Sequence, residues 1–200
     1  MPTTCLTLNP LGNNVFPAWC NSWVTANGKV HVPVDYDWKT VDKSEGSDPD
    51  ESIQQGADLL NTMIGTHIAN GPVYVFGHSK GGQVIGRWLI KYGNTSGYDP
   101  EELTFMTTGN PTSSLGHPPW IKFPMPKSTT PGFPIIDIGR EGDGWCRWPD
   151  TNNLFVRIKS IIGMFTVHTD YKTKSLNASG IPTVYEETST DGDTTYYTLS

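Results

Sequence analysis

The chain has 200 residues, a formal net charge of −6 and only three cysteines. That length predicts one domain over residues 1–200, with enough core to need no staple. The acidic balance and the lack of any Lys/Arg cluster argue against a nucleic-acid or anionic-membrane partner. No apolar run reaches the roughly 18 residues of a membrane span. "MPTTCLTLNP" has neither a basic n-region nor a long apolar segment, so a soluble chain without a signal peptide is expected. Cys5, Cys20 and Cys146 are widely spaced and include no C-x-x-C pair, which signals neither a disulfide framework nor a zinc site.

In chain order, "CLTL" at Cys5 to Leu8 reads as a short strand, stopped by the turn-rich "NPLGNN". "KVHVPVDY" alternates Val30, Val32 and Val34 as a strand does, and Pro33 places it at an edge or a bulge. "SDPDESIQQGADLLNTMIGTHIANG" opens on a capping residue, a proline and acidic residues, then sets Ile53, Ala57, Leu60, Ile64 and Ile68 on one helical face. This helix should end near Gly71. "PVYVFG" follows as a strand, "KGGQVIGRWLIKYG" as a helix burying Val84, Ile85, Trp88 and Leu89, and "ELTFMTTG" as a strand. Strand and helix alternate, which predicts a mostly parallel sheet flanked by helices. The proline-dense stretch from Gly109 to Pro134 carries Trp120, Ile121, Phe123 and Met125, and reads either as a loop tucked on the core or as an apolar rim over a cleft. "PIIDIG" is a further strand. "NNLFVRIKSIIGMF" predicts a packed helix through Leu154, Val156, Ile158, Ile161, Ile162 and Phe165, and the tail predicts two strands joined at an Asp-Gly turn.

Within "VYVFGHSKGGQVIGRWL" Ser79 sits between Gly77 and Gly81. With 21 glycines in the chain, G-x-S-x-G alone is weak, but its place between a strand and a helix is the setting that a strained nucleophile turn requires. Small flanking residues avoid clashes at such a corner, and the following helix aims its N-terminal dipole at developing negative charge. A serine hydroxyl needs a histidine to take its proton and a carboxylate to fix the histidine's tautomer, and in hydrolase order the acid and then the histidine follow the serine. His31 lies within a strand, His67 near a helix end and His78 inside the turn itself. His168 in "FTVHTDY" comes late enough in the chain, with His117 as its competitor. Asp143 lies beyond the end of the "IIDI" strand, where catalytic carboxylates of open parallel sheets sit, and Asp137 within that strand is the alternative. Asp150 and Asp170 read as solvated charges. "WPD" at Trp148 to Asp150 is similar to a tyrosine-phosphatase loop, but the chain lacks the Cys/Arg cradle of that chemistry.

With Ser79, Asp143 and His168 in view, the chain resembles the cutinase-like α/β-hydrolases, specifically the PE-PPE-domain serine esterases of mycobacteria and the lysin B enzymes of their phages. "FGHSKGG" resembles the family's nucleophile turn, "TTGNP" the Gly-Asn/Asp-Pro after the next strand, "GDGWCRWPD" the segment that holds the triad acid, "VHTDY" its Val-His-x-x-Tyr and "TTYYTL" its closing strand. The resemblance implies a three-layer α/β sandwich with a mostly parallel central sheet. It assigns Ser79 as nucleophile, Asp143 as orienting acid and His168 as general base, with no cofactor and no metal. "NPLG", Asn9 to Gly12, departs from the family's Gly-Gly-Thr-Gly-like loop. Leu11 brings no hydroxyl, so the oxyanion donors implied are the backbone N–H of Lys80 and one near Leu11 or Gly12. Trp120, Phe123 and Trp145, with Phe165, are the expected walls for an acyl chain.

The function expected is therefore carboxylic-ester hydrolysis through an acyl-enzyme, on an acyl ester or lipid substrate. A narrower form is a phage enzyme cleaving the ester between mycolic acids and arabinogalactan, released at lysis or carried in a virion. The rival from another class is a non-catalytic virion or binding protein that keeps the fold, and the altered "NPLG" loop supports it.

Overall fold

The computed structural model describes residues 3–12, 23–39, 49–169, 171 and 176–200. Cys20, Asp170 and the capping residue expected ahead of Pro49 lie outside these. The described elements, in chain order, are β1 (Thr4–Leu8), β2 (Val30–Pro33), α1 (Pro49–Ile68), β3 (Val73–His78), α2 (Lys80–Tyr92), β4 (Leu103–Thr108), β5 (Ile135–Arg140), α3 (Leu154–Thr166), β6 (Glu187–Asp191) and β7 (Thr194–Leu199).

The strands form one seven-stranded sheet in the order β2-β1-β3-β4-β5-β7-β6. Every neighbouring pair is parallel except β6 and β7, the hairpin that turns at Asp191 and Gly192. Parallel strands need crossovers, and α1 and α2 supply those from β2 to β3 and from β3 to β4. The order reverses beside β1, with β2 on one side and β3 on the other, so the loops leaving the carboxyl ends of β1 and β3 diverge there. Crevices of open α/β sheets form at such a point.

Alternation along the strands divides the core between the two faces of the sheet. Leu6, Leu8 and Val75 join Ala57, Leu60 and Ile64 of α1 and Val84, Ile85, Trp88 and Leu89 of α2, the helical faces that the sequence periodicity predicts. Cys5, Phe76 and Met106 point the other way and pack against Trp23 and Val24 of a helical turn at 23–26, while Tyr171 and Leu199 extend that layer under β5 and β7. The architecture is thus the expected three-layer one. Each fully buried Leu or Phe in it contributes about 1.5–3 kcal/mol. Pro33 sits on the edge strand, where a missing N–H breaks no ladder. Cys5 and Cys146 are buried free thiols, and burial pushes the Cys5 thiol up to about 12.

One expectation is reversed. Residues Leu154–Thr166 are helical, but the large apolar side chains counted on to pack α3 point outward, and the residues it buries are Ser160, Gly163 and Met164. The reason is backbone proximity. A Cβ on Gly163 would lie 1.7 Å from the Gly142 carbonyl oxygen, and one on Gly144 would lie 2.1 Å from that of Ser160. The helix docks on the 142–144 loop through its small residues, and its bulky ones are left on the far side.

Candidate active site

Ser79 links β3 to α2 with φ 54° and ψ −116°, and it is the one non-glycine residue at positive φ among those described. Holding an L-residue there costs of order 1–3 kcal/mol, and it lifts the side chain off the end of the sheet. Two close approaches make the turn possible. A Cβ on Gly77 would lie 2.5 Å from the backbone of Gly81, and one on Gly81 would lie 2.3 Å from the carbonyl oxygen of Leu8.

The Ser79 hydroxyl meets His168 Nε2 at 2.8 Å. On the other side of that ring, Nδ1 lies 2.9 Å from Asp143 Oδ2 and 3.1 Å from Oδ1, so Nδ1–H donates to the carboxylate and Nε2 is left to accept from the serine. Asp143 accepts further bonds from the Tyr171 hydroxyl at 2.8 Å, the Trp145 N–H at 3.0 Å and the Cys146 thiol at 3.3 Å. Burial pushes its carboxyl up, but the bond from His168 and its charge, with those from Tyr171 and Trp145, outweigh that and hold it below the usual range. A buried carboxylate that stays ionised can both orient an imidazole and stabilise it once protonated.

The competing residues are bonded elsewhere. Asp137 is wholly buried, accepts from Thr107 at 2.7 Å and Ser113 at 2.5 Å, and has its carboxyl pushed up by burial against the opposing effect of Arg147. His117 bonds the Ser113 carbonyl at 3.1 Å, and His31 bonds the Thr7 hydroxyl at 2.7 Å.

The PE-PPE domain family matches residues 25–200. The chain belongs to that family. Among solved structures, the PE-PPE domain is similar to a cutinase-like protein from Cryptococcus sp., at 15% identity and TM-score 0.56 over 90% of this chain and 96% of that one. It is also similar to lysin B from Mycobacteriophage D29, at 17% identity and TM-score 0.53 over 82% of this chain and 74% of that one. No curated protein matches its sequence. At these identities the likeness is one of fold, that of the cutinase-like α/β-hydrolases.

Beside Ser79 the PE-PPE domain has a cleft of about 410 Å³. Leu11, Lys80, Trp120, Ile121 and Trp145 line it with the serine. The proline-rich stretch accordingly does both things expected of it, since Met125 and Phe133 are buried in the core while Trp120 and Ile121 reach the cleft. Trp120 stands edge-on to Trp145 at 6.4 Å between ring centroids, and Trp145 lies 6.1 Å from the His168 ring. Two expected walls are not brought there. Phe123 is not among the residues lining this cleft, and its ring lies 4.1 Å from the Arg87 guanidinium. Phe165 is 74% exposed on α3. Lys80 opens α2, so its N–H belongs to the first turn, which has no intrahelical acceptor. Its ammonium donates to the Asp37 carbonyl at 2.9 Å, and burial lowers its pKa against the opposing effect of Asp37. Gly12 N–H is turned to the Trp38 carbonyl at 3.4 Å, and Leu11 lines the cleft beside Ser79.

Sequence reasoning gave no role to two neighbours of the site. Tyr171 donates to Asp143 and accepts from Arg140 N–H at 3.0 Å, a link whose only sequence trace is the last residue of "VHTDY". His78 stacks on His168 at 5.4 Å and 23°, and its Nδ1–H donates to the Thr108 carbonyl at 3.1 Å. Burial, then the neighbouring His168, push His78 down to about 3 against the opposing effects of Asp143 and the Thr108 bond. An unfolded histidine titrates near 6.5, so between about 6.5 and 3 the unfolded chain takes up a proton that the native state refuses. Stability should therefore fall as pH falls across that window, by up to about 5 kcal/mol from this group. The lowered carboxyl of Asp143 acts in the same direction at the acid end. Urea unfolding from pH 7 to 4 is expected to show a shallower loss in His78→Asn than in wild type, and parallel curves would contradict it.

Proposed function

We propose that this PE-PPE domain is a serine hydrolase of carboxylic esters that works through an acyl-enzyme. The observation that carries the reading is the unbroken relay from Ser79 Oγ to His168 Nε2 at 2.8 Å and from His168 Nδ1 to Asp143 at 2.9 Å, at the end of a cleft. As Ser79 Oγ attacks the acyl carbon, its proton passes to His168 Nε2 and the carbonyl electron pair moves onto oxygen. Asp143 remains ionised and holds the imidazolium in register. The oxyanion is met by the N–H of Lys80, helped by the α2 dipole, and by that of Leu11. Collapse breaks the ester C–O bond, and the departing alkoxide takes the proton from His168. Water then attacks the acyl-serine with His168 as base and returns the free enzyme and an acid. No step calls for a cofactor.

The indole and aliphatic walls of the cleft suit an apolar acyl group, with Trp120 and Trp145 in contact with it. The narrower substrate, the mycolyl ester of arabinogalactan, remains the specific form of this reading, and release of lipid from mycobacterial envelopes is its assay. A fluorophosphonate probe applied to the folded protein is expected to modify Ser79 alone, as mapped by mass spectrometry, and to leave Ser79→Ala unmodified. A folded protein whose Ser79 stays unlabelled would instead favour the non-catalytic reading.

A further inference from the structure

The outer side of α3 is apolar in a way that neither the fold nor the proposed chemistry uses. Phe155 is 80% exposed, Phe165 74%, Leu154 67% and Ile162 56%, with Ile161 and Ile158 at 45% and 42%. At about 100° per residue, these six side chains occupy one continuous arc of about 120°, opposite the Ser160, Gly163 and Met164 face that packs on the 142–144 loop. Arg157 falls on one margin of the arc, its guanidinium donating to the Thr151 carbonyl at 2.7 Å and Asn152 Oδ1 at 3.2 Å, and the exposed Lys159 falls on the other. Leu154–Thr166 contains no acidic residue. Contiguous exposed patches of this kind mark surfaces that meet an apolar phase or a partner. The flanking cations argue for the first, because a helix lying in a lipid interface buries its apolar arc while basic side chains at the margins reach up to the headgroups.

Its position also fits. The loop on which α3 is seated carries Asp143 and leads to Trp145, and His168 follows two residues after the helix ends. The net charge of −6, which argues against an anionic membrane when spread over the chain, is not the charge that this surface presents. Within Leu154–Thr166 the charged side chains are Arg157 and Lys159 alone, both cationic.

We propose that the outer face of α3 is a docking surface for lipid, anionic headgroups being favoured, which holds the protein on a lipid interface beside its cleft. In a flotation assay, wild-type protein should rise with phosphatidylcholine vesicles containing phosphatidylglycerol, less with phosphatidylcholine alone, and less as salt is raised. Phe155→Ser combined with Ile162→Ser is expected to lower partitioning to both vesicles by about tenfold or more. Both positions are exposed, so the thermal melt should be unchanged, and Phe155→Ser alone serves if it is not. Lys159→Gln should narrow the difference between the two vesicle types. Wild-type protein that stays at the bottom of the gradient with both vesicles would overturn the proposal. So would a dimer in sedimentation that the double variant abolishes without any flotation, since the face would then be covered by a second copy. Ser79→Ala should float like wild type, while the double variant should hydrolyse a soluble ester at the wild-type rate. Docking and catalysis thereby fail or hold separately.

Discussion

Ser79→Ala is expected to lower kcat for a soluble p-nitrophenyl ester by about 10⁶, and Asp143→Asn by about 10⁴, with both proteins folded. The serine variant removes the atom proposed to form the covalent intermediate, and what would survive is hydrolysis by water held in the cleft. The aspartate variant works through the histidine. Asp143 accepts from His168, Tyr171, Trp145 and Cys146, and an amide in its place has one acceptor oxygen for all four donors. If that oxygen takes the Oδ1 place and keeps the Trp145 N–H, the NH₂ takes the Oδ2 place against His168 and forces the proton onto Nε2, the atom that would accept from Ser79. Asp137→Asn is the contrasting measurement. That carboxyl is bound by Thr107 and Ser113, faces Arg147 and makes no hydrogen bond to Ser79 or His168, so the change should cost about 1–3 kcal/mol of stability and spare most of kcat. Steady-state kinetics and urea unfolding on the three variants check both halves. Should Asp137→Asn lose activity and Asp143→Asn keep it, the acid has been assigned to the wrong carboxylate.

What could be read from the sequence was local or ordered along the chain. The faces of α1 and α2, the edge position of Pro33 and the hairpin at Asp191-Gly192 follow from periodicity and turn chemistry. The approach of Ser79, Asp143 and His168 follows from the order of strand ends in a parallel sheet. The misreading of α3 has a physical source. Its pattern shows an apolar arc but not which side docks, and here the short side chains of Ser160 and Gly163 permit backbone contact that larger residues would prevent. Phe123 reads as a wall of the cleft because it is one of the apolar residues of the 109–134 loop, yet its ring lies against Arg87 of α2. Tyr171 and His78 became visible only through contacts that close in space. The His-x-x-Tyr spacing of "VHTDY" marks Tyr171 but not its bond to Asp143, and the stacking of His78 on His168 leaves no spacing signature.

Gly81→Ala is expected to destabilise the protein by about 3 kcal/mol or more, far beyond the effect of Gly12→Ala, and to reduce activity in whatever protein remains folded. The added methyl at 81 would sit 2.3 Å from the Leu8 carbonyl oxygen and 2.8 Å from its Cβ, a contact of backbone with backbone that no rotamer change relieves. At Gly12 nothing lies within 4 Å, so the cost there is that of φ +72° in an L-residue, about 1 kcal/mol. The larger penalty is coupled to function by its location. Leu8 ends β1, three residues before Leu11, while Gly81 is the second residue of α2, directly after Lys80. Whatever relieves the clash must push β1 and the start of α2 apart, and those two segments carry the two backbone N–H groups proposed for the oxyanion. Donors serve that charge only within about 2.7–3.1 Å, so a separation of a few tenths of an ångström should fall on kcat more than on KM. Urea unfolding gives the first quantity and steady-state kinetics on the folded fraction the second. A Gly81→Ala protein with wild-type kcat would show that the approach of α2 to β1 supports the fold alone.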